Sequence, residues 1–285
     1  MRSLTRASEA TGYGMESTQI GDGQEINTGE AGITAWFEGL QERSDWVVYA
    51  APDAAAGAPE LSNRIWHDAD LHLDASVRSP RAVAIAAWAD AVTAGDLAKA
   101  SDLTDKFDEF PLLLTRSLGE MRSYLRDRAR PDRRTGLIAS SQARRLRPFG
   151  VEMDGAFQGS VDWPRWFVDG QDEIRSSYAL EVAASECKCQ GLEIDWAGLC
   201  WGCDFTWRPG GSWHAKRLSG GKWHEDSAVA YARNRYRVLL TRARHGLVIW
   251  VPDPDTATPL VDAAGLDRTA DALLAAGARP LAEAA

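Results

Sequence analysis

Short apolar runs alternate with helix-patterned stretches along most of this chain, and that alternation constrains the fold more than any other feature. Pro111–Leu114, Gly136–Ser140, Tyr178–Ala184, Ile194–Trp201 and Gly246–Val251 read as buried strands. Between them, Arg116–Arg128, Ser141–Leu146 and Ser227–Thr241 have helical spacing. Upstream, Ser79-Pro80 supplies an N-cap followed by proline at the first helical position, so Pro80–Val92 reads as a helix. Strands that run apolar on both faces and are separated by helices form a mostly parallel sheet covered on both sides. The expectation is an α/β fold.

The flanks are less regular. The first seventeen residues are polar, without periodicity, and read as loop or disorder. Thr28 can cap a helix that carries Ile33, Trp36, Phe37 and Leu40 on one face. Asp45–Ala51 and Leu71–Val77 read as two further strands. The last thirty residues are alanine-rich, with one helix expected near Leu266–Ala276. The division expected is 1–17 as an unmatched start, 18–46 as a turn and helix, 47–255 as the α/β domain and 256–285 as a helical tail. No run of eighteen apolar residues exists, and the N-terminus has no apolar core of a secretory signal. A cytoplasmic protein without a membrane partner is expected.

A net charge of −9 hides an asymmetry: from Arg116 to Arg147 stand ten arginines against Glu120, Asp127 and Asp132. The chain can therefore present at most a basic strip on an acidic body, and a solvated arginine-rich helix face is the plainer reading. Cys187-x-Cys189 and Cys200-x2-Cys203 have a spacing able to hold a structural zinc, or are buried free thiols; no metal ligand is assigned. Trp201, Phe205, Trp207, Trp213 and Trp223 stand among Arg208, Lys216, Arg217 and Lys222. That stretch is either a stacking platform for single strands or a β-hairpin whose rings cover the sheet edge.

Four segments bear chemistry by their order. Gly21–Gly32 (GDGQEINTGEAG) sets Gln24 in a glycine-flanked turn, and Leu73–Ser79 (LDASVRS) sets Arg78 between a strand end and a capped helix. Glu186–Trp196 (ECKCQGLEIDW) sets Gln190, Gly191 and Glu193 in a loop between strands. Tyr236–Trp250 (YRVLLTRARHGLVIW) ends a helix in Thr241-Arg242 and enters a strand. These segments resemble, in order, motifs III, IV, V and VI of superfamily 1 helicases of the UvrD/Rep type. Gly136–Pro148 (GLIASSQARRLRP) resembles the strand-and-arginine segment between motifs IV and V. The wording is closest to the Schlafen group 3-like DNA/RNA helicase domain.

The resemblance implies a RecA-like second lobe of a two-lobe helicase core, with ATP and Mg2+ bound against a first lobe and single-stranded DNA or RNA as partner. It implies Arg242 as arginine finger, Arg78 as a second phosphate or base contact, and Gln24 as a link between the γ-phosphate and the strand. Glu193 would accept a hydrogen bond from the ribose, within a nucleotide loop that includes Gln190 and Gly191. Arg144, Arg145 and Trp207 are the candidate strand contacts. Guanidinium suits the phosphate role because it stays charged and binds two oxygens at once. Other roles stay open: Glu193 as a solvated loop acid, Arg78 as a partner of Asp74, Arg242 as a cation at a helix C-terminus. No G-x-x-x-x-G-K-[ST] occurs, and Gly220-Gly221-Lys222 is followed by Trp223, which cannot ligate magnesium. Neither Asp108-Glu109 nor Asp172-Glu173 ends an apolar strand. The expectation is a truncated second lobe, inactive in ATP hydrolysis alone; one half of a split ATPase, completed by a separate first-lobe polypeptide, is an alternative. The competing expectation is a non-enzymatic module, zinc-stabilised or binding nucleic acid through its arginines.

Overall fold

The structure, a computed structural model, describes residues 4–7, 14–17, 40, 46–50, 65–71, 80–107, 109–189, 192–225, 229–253 and 261–283. The chain divides into two compact units, Met1–Ala75 and Ser76–Ala285. In the first, β1 (Leu4–Ala7) pairs antiparallel with β2 (Gly14–Ser17), and β3 (Val48–Ala50) pairs parallel with β4 (Ile65–His67). The start of the chain thus carries a strand pair where loop or disorder is expected. Four rungs of backbone pairing form there without the apolar alternation on which a sequence reading depends. The strand expected at Leu71–Val77 is not found at its first residue, since Leu71 ends a 3-10 turn. Its other residues, and the helix expected after Thr28 apart from Leu40, lie outside the described residues.

The second unit opens with α1 (Pro80–Ala94), which starts at the expected proline, and α2 (Leu97–Thr104). Gly95 takes φ +90 between them, a conformation that suits glycine, and the Asp96 carboxylate caps α2 by accepting the Lys99 N–H at 3.1 Å. There follow β5 (Leu112–Thr115), α3 (Leu118–Arg128), β6 (Thr135–Ala139), a 3-10 helix over Arg144–Phe149, α4 (Gly155–Ser160) and α5 (Trp163–Val168). The expected helix at Ser141–Leu146 is this tighter 3-10 turn, displaced toward Pro148, whose ring removes a backbone donor. The expected strand at Tyr178–Ala184 resolves into a 3-10 turn and a short β7 (Ala183–Ser185). Then come α6 (Glu186–Cys189), β8 (Ile194–Cys200), β9 (Phe205–Arg208), β10 (Ser212–Ser219), β11 (Lys222–Glu225), α7 (Val229–Leu240), β12 (Ala243–Trp250), α8 (Ala263–Ala275) and β13 (Arg279–Pro280).

Six strands form one parallel sheet in the order β13-β5-β12-β8-β6-β7. The period-2 geometry of each strand sorts its residues between two cores. Leu112, Leu114, Leu199, Leu247 and Ile249 join Trp88, Ala100, Leu239 and Leu273 from α1, α2, α7 and α8 on one face. Leu113, Leu137, Cys200, Val248 and Trp250 join Met121 and Leu125 of α3 on the other. Each such leucine contributes about 1.5–3 kcal/mol on burial, so both faces must stay covered. This is the α/β arrangement of a RecA-like fold. The C-terminal segment is part of it rather than an appended tail. Leu266, Ala270 and Leu273 of α8 are buried at helical spacing, and β13 extends the sheet beside β5. The helix lies where it was expected, but its alanines pack close without a long apolar stripe, which is why composition conceals its place in the core. The three strands β9, β10 and β11 form a separate antiparallel meander.

The two central strands are tied by an unusually close fit. Gly246 of β12 stands in register with Trp196 of β8, and a Cβ added to Gly246 would lie 2.2 Å from the indole ring. The ring is held from the other side by Tyr124, edge-on at 6.1 Å, and by the Arg128 guanidinium over both rings. Gly246→Ala is expected to lower stability by about 1–3 kcal/mol, the usual cost of overpacking, read as a reduced midpoint in denaturant. An unchanged midpoint would contradict this packing.

Candidate functional site

At the N-terminal edge of the sheet, α7 delivers its last turn beside the loop that enters β8. The helix forms because Ala232, Arg235, Tyr236, Leu239 and Leu240 recur at helical spacing on the buried face. It ends in tightened bonds, with Thr241 N–H donating to the Val238 carbonyl and Arg242 N–H to that of Leu239, both at 3.3 Å. The Arg242 side chain folds back over this end. Its Nε donates to the Val238 carbonyl at 3.0 Å, and Nη1 donates to the carbonyls of Leu192 at 3.1 Å and Cys189 at 3.4 Å. One guanidinium thus adds a donor to a carbonyl of the last helical turn and grips both ends of the loop over 190–191.

Glu193 lies on the same edge. The Ile194 N–H donates to the Arg242 carbonyl at 3.0 Å, which brings the start of β8 against the end of α7. The Glu193 carboxylate is paired with Arg244, the second arginine of the segment, whose side chain is 61% exposed. Next to them Asp195 accepts the Arg134 N–H at 2.7 Å and stands 3.6 Å from His245. The structure therefore brings Arg242 and Glu193 together. Gln24, Arg78, Gln190 and Gly191 lie outside the described residues.

The opposite, C-terminal edge holds a buried polar cluster. Asp204, fully buried in the turn after β8, accepts the Ser140 hydroxyl at 2.6 Å and the Tyr236 hydroxyl at 2.9 Å. Tyr236 in turn accepts the Gly202 N–H at 3.2 Å. Glu186, also buried, accepts the Ser141 N–H at 2.8 Å and its hydroxyl at 2.5 Å. Burial raises both carboxyls, while these bonds and the nearby Arg235 pull them down. Burial likewise holds the Tyr236 phenol well above its usual range. Arg144, exposed, and Arg145, half-buried, follow Ser141 by three and four residues.

Trp207 is placed elsewhere. Its half-buried ring packs edge-on to Trp213 at 4.9 Å and against Gly95, and its backbone is held by Thr269 and Arg268 of α8. Trp201, Phe205, Trp213 and Tyr236 cover one another in the core, with Phe205 and Trp213 stacked at 4.6 Å. Faces occupied in this way are closed to bases at Trp201, Phe205 and Trp213, while Trp207 and Trp223 are only partly buried. The ten arginines do not form one strip either. Arg116 donates to the Pro252 carbonyl and pairs with Asp267, and Arg122 donates to the Leu180 carbonyl. Arg134 serves the carbonyls of Trp166, Val168 and Asp169.

The chain matches the family model of the Schlafen group 3, DNA/RNA helicase domain, over residues 18–253. It belongs to that family. Comparison with curated proteins gives no match. In this helicase domain, no helix among the described residues is long and apolar enough to cross a membrane. Sequence reasoning passed over three groups that the structure places at the two edges. Arg244 carried a signal, as part of the same TRAR run. Glu186 opens the quoted ECKCQGLEIDW segment, whereas nothing around Asp204 distinguishes it from a loop acid.

The cysteines of the helicase domain do not converge. Cys189 and Cys203 are buried in the core on one face of the sheet and Cys200 in that on the other, while Cys187 is exposed. No group of three or more metal-ligating side chains is assembled among the described residues. Cysteines split between the two faces of the sheet do not form the single tetrahedral set that a structural zinc needs. Burial pushes the Cys189 and Cys200 thiols up to about 12 and Cys203 up to about 11, far from the reactive thiolate. Titration of the folded protein with a thiol reagent near pH 8 is expected to modify Cys187 alone, with the other three reacting only after unfolding. Rapid native modification of more than one thiol would contradict the burial described.

Proposed function

We propose that this helicase domain is the second RecA-like lobe of a superfamily 1 nucleic-acid-dependent ATPase. The observation that carries the reading is the Arg242 clasp, which sets the motif VI arginine and the motif V loop on one sheet edge beside Glu193. Those residues fit one half of a nucleotide site: a cation for phosphate oxygens, an acid for a ribose hydroxyl, and a loop between them. Arg78 and Gln24 add the motif IV and motif III contacts by family resemblance. The phosphate loop and magnesium carboxylates would come from a first lobe, which supplies the other half of the site. ATP with Mg2+ supplies the phosphoryl group whose transfer drives the cycle.

For Arg242 the clasp defines a specific act. Its present acceptors are neutral carbonyls, and bonds to ionised oxygens are roughly twice as strong. An approaching triphosphate therefore competes well for the guanidinium, and each bond exchanged loosens one end of the loop over 190–191. Glu193 can accept a ribose hydroxyl at Oε1 while Oε2 stays paired with Arg244. Closing and reopening of the two lobes would follow this exchange. Strand contacts belong to the opposite edge, through Arg144 and Arg145.

The test is ATP turnover by this chain, alone and mixed with a first-lobe polypeptide bearing the phosphate loop, with and without single-stranded DNA or RNA. Strand-stimulated turnover is expected only in the mixture. Arg242→Ala should then reduce kcat by roughly 10³-fold or more, the usual effect of losing an arginine finger. Equal turnover by wild type and Arg242→Ala in the mixture would overturn the assignment.

A further inference from the structure

The buried carboxylates at the C-terminal edge are expensive features that the nucleotide chemistry does not use. Two acids with almost no exposure are each spent on adjacent serines, Glu186 on Ser141 and Asp204 on Ser140. Apolar side chains of similar volume would fill that space at lower cost, so the bonds must specify a geometry. The geometry they specify is the turn after β6. Ser140 Oγ also accepts the Gln142 N–H at 3.2 Å, the Ala143 N–H donates to the Ser140 carbonyl at 2.9 Å, and the Leu146 N–H donates to that of Ala143 at 3.1 Å. Ala143 is seated on Gly202 so closely that a Cβ there would lie 2.5 Å from its methyl group. The backbone is thus fixed at Ser141, Gln142, Ala143 and Leu146, on both sides of the exposed Arg144 and the half-buried Arg145.

We propose that Glu186 and Asp204 are positioning residues for strand binding, holding the Ser140–Arg145 turn so that Arg144 and Arg145 meet the phosphate backbone of a single strand together. This rests on the preceding reading of these arginines as strand contacts. A turn fixed in advance loses less freedom when it binds than a mobile arginine loop does. Asp204 also bonds Tyr236 of α7, so the same carboxylate ties this turn to the helix that ends in Arg242.

The experiment measures binding of labelled oligo-dT and oligo-U by the full chain, by anisotropy, between 50 and 200 mM salt. The double variant Arg144→Ala, Arg145→Ala should weaken binding and flatten the salt dependence by roughly 1.4 log units per log unit of salt, the share of two single-strand phosphates. Ser141→Ala should weaken binding roughly 3–10-fold, from loss of one hydrogen bond, and Ser141→Thr, which keeps the hydroxyl, should restore it. In the arginine double variant, Ser141→Ala should add nothing. Glu186→Gln should behave as Ser141→Ala does; if it does not fold, the Ser141 pair carries the test. The loss is expected with both oligonucleotides, since phosphate is common to them, and a loss confined to one overturns the phosphate assignment. If the arginine variant binds as wild type does, the strand-contact reading itself fails. If it loses binding while Ser141→Ala and Glu186→Gln do not, or if Ser141→Ala weakens the arginine variant equally, the positioning role alone is overturned.

Discussion

The pairing of β8 with β12 is the constraint from which the two functional edges follow. These strands run parallel at the centre of the sheet, in register from Trp196 opposite Gly246 to Cys200 opposite Trp250. In a parallel pair both N-termini lie at one end and both C-termini at the other. The residues just before the strands, Glu193 and Arg242, therefore meet at one edge. Gly202 and Asp204, just after β8, stand at the opposite edge. A chain that kept every motif residue but lost this register would separate Arg242 from the loop it grips.

Arg242 has a structural role beside the chemical one proposed for it. Held by the carbonyls of Val238, Cys189 and Leu192, it caps a helix whose C-terminal dipole already favours a cation. That arrangement meets the structural alternative recognised in the sequence, and it also places the guanidinium where a phosphate group could compete for it. The pair Glu193–Arg244 has the same double character. Being largely exposed, it contributes little to stability, which leaves both partners available for exchange.

Much of the sheet was legible in the sequence. The strands at 112–115, 135–139, 194–200 and 243–250 lie close to where apolar runs placed them, and α1 starts at the proline that marked it. The elements that escaped are those whose burial is not periodic. Gln158 and Trp166 anchor α4 and α5 by hydrogen bonds to the carbonyls of Ala183 and Val182, a tertiary contact that no local pattern announces. β13 is two residues long, one a proline, and belongs to the sheet only through its backbone. At the site, the edge that carries Arg242 was readable because TRAR and GLEID keep their residue types and order. The polar cluster was not, because Asp204, Ser140 and Tyr236 are far apart in sequence and each is ordinary in its own segment.

Hydrogen exchange across Glu186–Ile194, compared between wild type and Arg242→Ala, tests most directly whether one guanidinium joins the motif VI helix to the motif V loop. The clasp predicts faster exchange in that loop and in the last turn of α7, with β12 and β5 protected as before. Unaltered protection of the loop in the variant would contradict it, and with it the claim that the nucleotide edge is organised around Arg242.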